Sequence, residues 1–493
     1  MSTTSKALFS QLESALLRID ELSSKVKRIE TETENKYLRI IYEKDLEIAR
    51  LKAENAELKE RVLKLEAEVD RLRKQINKDS GNSSKPPSGD QKPNVNIFNG
   101  RERNGKRPGG QRGHKGYCLS KAEIEDKISK GLVGHRVVEH GAPSSKYISK
   151  YVIDIKVETI VSEHRFYADG KGRIKVPKTY RGNVQYGTGV KTLVAALAGQ
   201  GIVASNRIVD LIGAMSENAI RLSDGTVYNF LSEFNEKSVS VIDVIKTRLL
   251  NAPLMHVDET GARCESKNMF FRNYSNDKYV LYTFNPTKGK QAIGDDGILG
   301  QYIGTLVHDH NTVNYNYGSG NAECNVHLIR YLKANSETAR KTWSDDMINL
   351  LLSLNRSKKL AMAYGMTGFE RQDLERYERL YDEIINEGLL NLNNTTSRIY
   401  RDDEKKLLKR LKKYKNNHLM FAHDFNVPFD NNLSERDLRM VKTKAKISGC
   451  FRNLSGAKAF ANLMSIIKTA IKNCLSPFYA INSILIGQQL FLS

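Results

Sequence analysis

The sequence predicts a multidomain α+β chain: a long parallel coiled coil at the N-terminus, a small β-rich domain, a helix-turn-helix-like trio, and an α/β core interrupted by a helical insertion. Three observations predict it. A seven-residue apolar repeat runs through residues 48–76, the apolar period then switches between two and 3.6, and short apolar strands return after Ala252. At 493 residues the chain has room for about three domains of ~150 residues. Hydrophobic residues make up 40% and charged residues 27%, so a sizeable core can form and wholesale disorder is excluded. Lys plus Arg is 78 against 57 for Asp plus Glu, and the net charge of +21 suits a polyanionic partner, nucleic acid or an anionic membrane surface. No apolar run approaches the ~20 residues of a membrane span, and the N-terminus has no signal-peptide apolar segment. Five scattered cysteines, Cys118, Cys264, Cys324, Cys450 and Cys474, argue against a disulfide framework and for a cytoplasmic protein.

Residues 1–78 carry the repeat. Ile48, Asn55, Val62, Val69 and Ile76 take the a positions, and Leu51, Leu58, Leu65 and Leu72 the d positions. β-branched residues at a with Leu at d favour two parallel strands, and the polar Asn55 fixes register, so this segment is expected to form a homodimer. The alternative is one long helix packed on its own chain. Residues 79–120 read as a linker rich in Ser, Gly, Pro and Asn, with Lys85, Lys92, Arg101, Arg103, Lys106, Arg107, Arg112 and Lys115. Its KRPGGQRGHKG stretch can lie extended along phosphates or in a narrow minor groove, or serve as a solvated spacer.

In residues 121–184, Ile153, Ile155, Val157, Thr159 and Val161 alternate with more polar neighbours, the period of a half-buried strand, and Asp169-Gly170 reads as a turn. Residues 185–250 change to helical spacing. Val190 to Ala198 is one helix, Ser205 caps a second to Ala214, and Ser223 caps a third through Leu231. Such a trio is either a helix-turn-helix whose last helix reads a groove or a structural bundle.

From residue 251 short strands appear at Leu254 to Val257, Met269 to Tyr274, Tyr279 to Phe284 and Thr305 to Val307, with a hairpin signal at Asn276-Asp277. The first delivers Asp258 and the fourth Asp309. If those two strands are adjacent, both carboxylates reach shared metal ions. A third acid, Glu435, sits early in a helix that Asp430 or Asn431 can cap, among Arg436, Arg439, Lys442, Lys444, Lys446 and Arg452. Three carboxylates are the hard oxygen ligands Mg²⁺ takes, and two ions about 3.5–4 Å apart can drive an in-line displacement at phosphorus. Taken singly, each acid reads as well as a turn, a strand end or an i,i+4 partner of Arg439. Cys324 and His327 form half a zinc site without a second pair at zinc-finger spacing. His256, His308 and His310 flank the acids, either as hydrogen-bonders behind them or as exposed strand-end residues.

At this point the chain resembles the insertion-sequence-66 family of bacterial DDE transposases. The likeness runs through NSSKPPSGD (Asn82 to Asp90), PGGQRGHKG (Pro108 to Gly116), VDET (Val257 to Thr260), CNVHLIRYL (Cys324 to Leu332), DNNLSER (Asp430 to Arg436) and GCFRNLSGAKAFANLMSIIKTA (Gly449 to Ala470). The resemblance implies a ribonuclease-H-like α/β catalytic core formed by residues 251–332 and 425–493, with Asp258, Asp309 and Glu435 as catalytic and metal-binding triad. It implies that Cys324 and His327 stand beside the active site, and that residues 333–424 are the helical insertion, whose strongly basic stretch Lys405 to Lys415 either contacts DNA or is a solvated face. The expected cofactor is Mg²⁺ as two ions, with Mn²⁺ as a substitute; zinc is not expected, because the family's cysteine-based zinc segment is missing between His140 and Gly170. The expected partners are double-stranded DNA at element ends and target, a second copy of the chain with higher order on DNA, and small accessory proteins, with no membrane and a nucleoid-associated cytoplasmic location. The implied function is hydrolysis of a phosphodiester at the element end followed by attack of the 3′-hydroxyl on target DNA. The alternatives are a dimeric DNA-binding regulator or inactive transposase relic, and a structure-specific DNA nuclease.

Overall fold

A computed structural model describes residues 3–76, 113, 119–141, 146–180, 182–339, 342–394 and 398–488. The proposed linker contacts Arg101, Arg103, Lys106, Arg107, Arg112 and Lys115 lie outside the described residues, as does Cys118. The chain divides into two compact units, Met1–Asp79 with Leu390–Lys406, and Ser80–Leu389 with Leu407–Ser493.

The first unit is dominated by α1 (Thr3–Ile76), one unbroken helix of 74 residues. Lys25–Glu21 and Lys64–Glu60 ion pairs at i,i+4 spacing decorate it, each a small local contribution on an exposed surface. Leu51, Leu58 and Leu65 are 53–59% exposed, so the heptad stripe faces solvent along its length.

In the second unit, α2 (Lys121–Ser129) opens with a capping box: the Ser120 hydroxyl accepts from Glu123 N–H, and the Glu123 carboxylate accepts from Ser120 N–H. The expected β-rich domain of residues 121–184 is corrected here. Residues 146–180 form no strand among the described residues, and Val152, Ile155 and Val161 are 86–93% exposed. Alternation specifies a strand only when a partner takes the backbone hydrogen bonds and a covered face takes the apolar side chains, and this segment has neither. The Asp169 turn does form, its carboxylate accepting from the backbone N–H of Lys171 and Arg173.

The helical trio follows as α3 (Thr188–Gly199), α4 (Ser205–Met215) and α5 (Asp224–Lys237), then α6 (Val239–Leu250). Ser223 caps α5 through Thr226 N–H at 3.1 Å, but Ser205 lies inside α4, whose N-cap is Ala204 without a side-chain bond. Val194, Ile208 and Phe234 of the trio share one hydrophobic core with the sheet and with Phe460, Ile467 and Ile484 near the C-terminus.

The sheet has β1 (Leu254–Cys264), β2 (Lys267–Ser275), β3 (Val280–Asn285), β4 (Thr305–His308) and β5 (Gly320–Glu323). α7 (Lys290–Asp296) stands between β3 and β4. The strand order is β3-β2-β1-β4-β5. β1, β2 and β3 form an antiparallel meander, whereas β4 and β5 add in parallel to β1. After β5 come α8 (Asn325–Ala339), α9 (Thr342–Ala363), α10 (Arg371–Asn391), α11 (Arg398–Lys413) and α12 (Lys415–His423). The chain then returns to the sheet through α13 (Asn432–Ser448), α14 (Leu454–Lys472) and α15 (Pro477–Leu485).

β3 is an outer strand, and α14 closes its free side. Val280 N–H donates to Thr469 Oγ1 at 3.0 Å and Tyr282 N–H to Ser465 Oγ at 2.9 Å, so two unpaired backbone donors are satisfied by helix hydroxyls. No helix among the described residues is long and apolar enough to cross a membrane.

β4 starts at a close backbone approach. A Cβ on Gly304 would stand 2.7 Å from the carbonyl oxygens of both Ala252 and Pro253 and on the Tyr302 hydroxyl. Backbone atoms cannot swing away, so Gly304→Ala is expected to lower stability by about 1–3 kcal/mol, read as a fall in melting temperature. An unchanged melting temperature would show that β4 can shift freely against β1.

Candidate functional site

Each acid is delivered by a different element. Asp258 does not end its strand: β1 continues to Cys264, and what ends at His256 is the pairing with β4. That register, His256 opposite Val307, sets Asp258 and Asp309 level on neighbouring parallel strands just where the ladder opens. Glu435 comes from the first turn of α13.

Two asparagines and a serine hold that turn against the sheet. Asn431 Nδ2 donates to the Val257 carbonyl at 3.0 Å, its Oδ1 accepts from His256 Nδ1 at 2.8 Å, and its backbone N–H points to Cys324 Sγ at 3.2 Å. The Ser434 hydroxyl donates to Asn273 Oδ1, and Asn273 is the residue paired with Asp258 across β1 and β2. Glu435 therefore projects beside Asp258 because Asn431 and Ser434, just before it in the chain, are bonded to β1 and to β2 at the level of Asp258.

Asp258 feels the charges of the other two acids. Burial and the charge of Asp309 push the Asp258 carboxyl up to about 7, with Glu435 adding to the push; a backbone N–H of Glu259 and the Lys442 ammonium oppose it. Other buried acids nearby are neutralised. Asp296 and Glu259 pair with Arg272 at 2.9 and 3.1 Å, and Asp437 pairs with Lys472 at 2.8 Å. Glu323, at the end of β5, accepts from Arg410, from the Tyr315 hydroxyl and from His310 Nδ1 at 3.0 Å. Burial pushes the Glu323 carboxyl up, but the hydrogen bonds from His310 and His418 and the charge of Arg410 outweigh it and hold it well below the usual carboxylate range. Among the described residues, no cation stands at ion-pair distance from Asp258 or Asp309.

Cys324 and His327 open α8 on the side of Glu435. His327 Nδ1 stands 3.7 Å from Glu435 Oε1, and the ligand atoms of Cys324, His327 and Glu435 lie within 4.8 Å of one another. Burial pushes the Cys324 thiol up to about 12, and the Glu435 charge adds to it. The flanking histidines are hydrogen-bonded. His256 and His308 are buried, burial holds both below the usual imidazole range, and His308 Nε2 bonds Asn321 Oδ1 at 3.0 Å.

Of the basic residues, Arg436, Arg439, Lys442 and Lys446 on α13 are exposed, while Lys444 is half-buried with its ammonium 5.9 Å from the Phe460 ring centroid. Glu435, Arg439, Lys442 and Lys446 recur at three- and four-residue spacing, so one helix face leads from the acids along a line of cations. Arg410, within the basic stretch of α11, is turned inward to Glu323. Sequence reasoning missed Asn273, Ser434 and Glu323; the two adjacent asparagines of DNNLSER were the one visible hint of the Asn431 clamp.

The sequence profile of the Transposase IS66 family matches residues 184–459, more than half of the chain. The chain belongs to the IS66 family of transposases. A family of unknown function (DUF6444) matches residues 30–119. No curated protein matches the chain. In this IS66-family transposase the matched span contains Asp258, Asp309, Cys324, His327 and Glu435, whereas the basic linker falls in the 30–119 match.

The Asp258 environment predicts a pH signature. Its folded carboxyl titrates near 7, above the ~3.9 of an unfolded chain. Its contribution to stability is therefore complete below about pH 4 and is lost as pH rises to 7, where the folded state must give up its proton. In cation-free buffer, Asp258→Asn is expected to gain stability relative to the unsubstituted protein as pH rises from about 4 to 7. A melting-temperature difference that stays constant over this range would overturn the shift.

Proposed function

We propose that this transposase is a dimeric, metal-dependent DNA strand-cutting and strand-joining enzyme whose catalytic groups are Asp258, Asp309 and Glu435. The observation that carries this reading is the meeting of three acids from β1, β4 and α13, with Asp258 pushed up by burial and by the charges of the other two. We read the sheet that supports them as ribonuclease-H-like, on the strength of its antiparallel β1–β3 meander with β4 and β5 added in parallel beside β1.

An all-oxygen set of mutually repelling carboxylates suits Mg²⁺, with Mn²⁺ as substitute, and Asp258, Asp309 and Glu435 would hold it. When bound, such an ion lowers the pKa of a water and neutralises charge on phosphate oxygens. The protein's own groups do the rest. Asp258 and Asp309 are fixed by strand register, and Glu435 by the Asn431 and Ser434 bonds, so the donors are arranged before DNA arrives. His256, neutral and bonded to Asn431, supports that arrangement. Arg439, Lys442 and Lys446 hold the phosphates flanking the scissile bond, and the linker cations extend the grip. The helical trio reads element ends, and the open heptad stripe of α1 pairs two protomers so that two ends are held together.

Asp258→Asn is expected to lower Mg²⁺-dependent cleavage of an element-end duplex by more than about 100-fold while DNA binding is unchanged. Undiminished cleavage would reject the triad, and failure of the intact protein to join precut ends would leave a nuclease. Leu58→Asp with Leu65→Asp is expected to convert a dimer to a monomer in sedimentation; an unaltered dimer would place the contact elsewhere.

A further inference from the structure

Two buried polar atoms beside the acids lack hydrogen-bond partners: Glu435 Oε1 and His327 Nδ1. They face each other at 3.7 Å, too far for a hydrogen bond. Cys324 Sγ completes a triangle in which every ligand atom lies within 4.8 Å of the others. Buried polar atoms are almost always paired, so two orphans converging on a thiol call for a shared occupant. Around a tetrahedral zinc ion, with bonds of about 2.0–2.3 Å, neighbouring ligand atoms stand ~3.3–3.7 Å apart. The observed 3.7 Å between His327 and Glu435 is a few tenths of an ångström wider than the ~3.3–3.5 Å of a nitrogen and an oxygen ligand.

We infer that Cys324, His327 and Glu435 form a binding site for a thiophilic divalent cation, Zn²⁺ or Co²⁺, next to the oxygen-only pair Asp258 and Asp309. Imidazole and thiolate select such ions, whereas carboxylates alone select Mg²⁺. The local fold supports the choice. Cys324 and His327 fall three apart at the start of α8 and so face the same way, and against the burial that raises the free thiol the Asn431 N–H offers Sγ a donor. On binding, the thiol proton leaves to solvent, Sγ and Oε1 supply two negative charges, and the fourth position stays open to water. Because Glu435 belongs to both ligand sets, a cation held here draws on the carboxylate that the neighbouring pair also uses. Spacing along the chain hid the site, since its third ligand comes from α13.

The test is cobalt titration of the full-length reduced protein, freed of other cations. The expected result is one thiolate-to-cobalt charge-transfer band per chain with tetrahedral visible bands. These persist in Asp258→Asn and in Cys450→Ser with Cys474→Ser, vanish in Cys324→Ser, and need at least about 10-fold more cobalt in His327→Gln. No band in the intact protein, or a band that survives Cys324→Ser, overturns the site. Should Cys324→Ser fail to fold by circular dichroism, His327→Gln and Glu435→Gln decide, and unchanged cobalt affinity in both overturns it. A missing band with Asp258-dependent cleavage intact sinks this site alone. A band with cleavage indifferent to Asp258→Asn sinks only the triad.

Discussion

Asn431 closes three long gaps in the chain at one point. Its amide group joins His256 and Val257 of β1, 175 and 174 positions away, and its backbone N–H reaches Cys324, 107 positions away. Everything chemical in the second unit depends on that closure, because Glu435 is brought to the aspartates only by the helix that Asn431 starts. A buried asparagine is an economical choice here. It donates and accepts at once, and each strand group it meets would otherwise be a buried polar atom without a partner. The same residue positions Cys324, so the carboxylate trio and the thiol–imidazole pair are set by one clamp.

The treatment of buried charge separates the paired acids from the unpaired ones. Glu259, Asp296, Glu323 and Asp437 each have a cation in contact, and their role is to tie elements together. Glu323 joins β5 to α11 through Arg410, with His418 of α12 at 3.4 Å, which fastens the helices after β5 to the sheet edge. Removing one partner from such a pair would strand a charge, so these contacts specify geometry more than they add stability. Asp258 and Asp309 are left without that compensation, and burial together with the Asp309 charge pushes the Asp258 carboxyl up.

Much of this was legible in the residues. The strands carrying Asp258 and Asp309, which the structure pairs in parallel, stood out because their apolar runs ended on acids. The extent of β1 did not, since Thr260, Gly261 and Arg263 lack a strand's apolar alternation and are held by β2 across the hairpin. β5, with the sequence GNAE, carried no signal; its backbone pairing with β4 and the buried Glu323 make it a strand. The opposite error occurred at Ile153 to Val161, where alternation was strong and no partner strand exists among the described residues. Ser205 looked like a cap, but the helix begins one residue earlier. The helical trio read as a separate module, yet Val194 and Phe234 share a core with Phe460 and Ile467, a union no local pattern could announce. The meeting of Cys324 and His327 with Glu435 was likewise invisible to spacing.

The hydroxyls of Ser465 and Thr469 have an implication for the order of synthesis. β3 leaves the ribosome long before the helix that covers it, so a nascent chain carries an outer strand whose amide donors face water for nearly two hundred residues of translation. Any copy of the gene truncated upstream of those two residues would release a polypeptide with that strand permanently available for pairing with another chain, and such a fragment belongs among aggregates rather than among competitors for DNA.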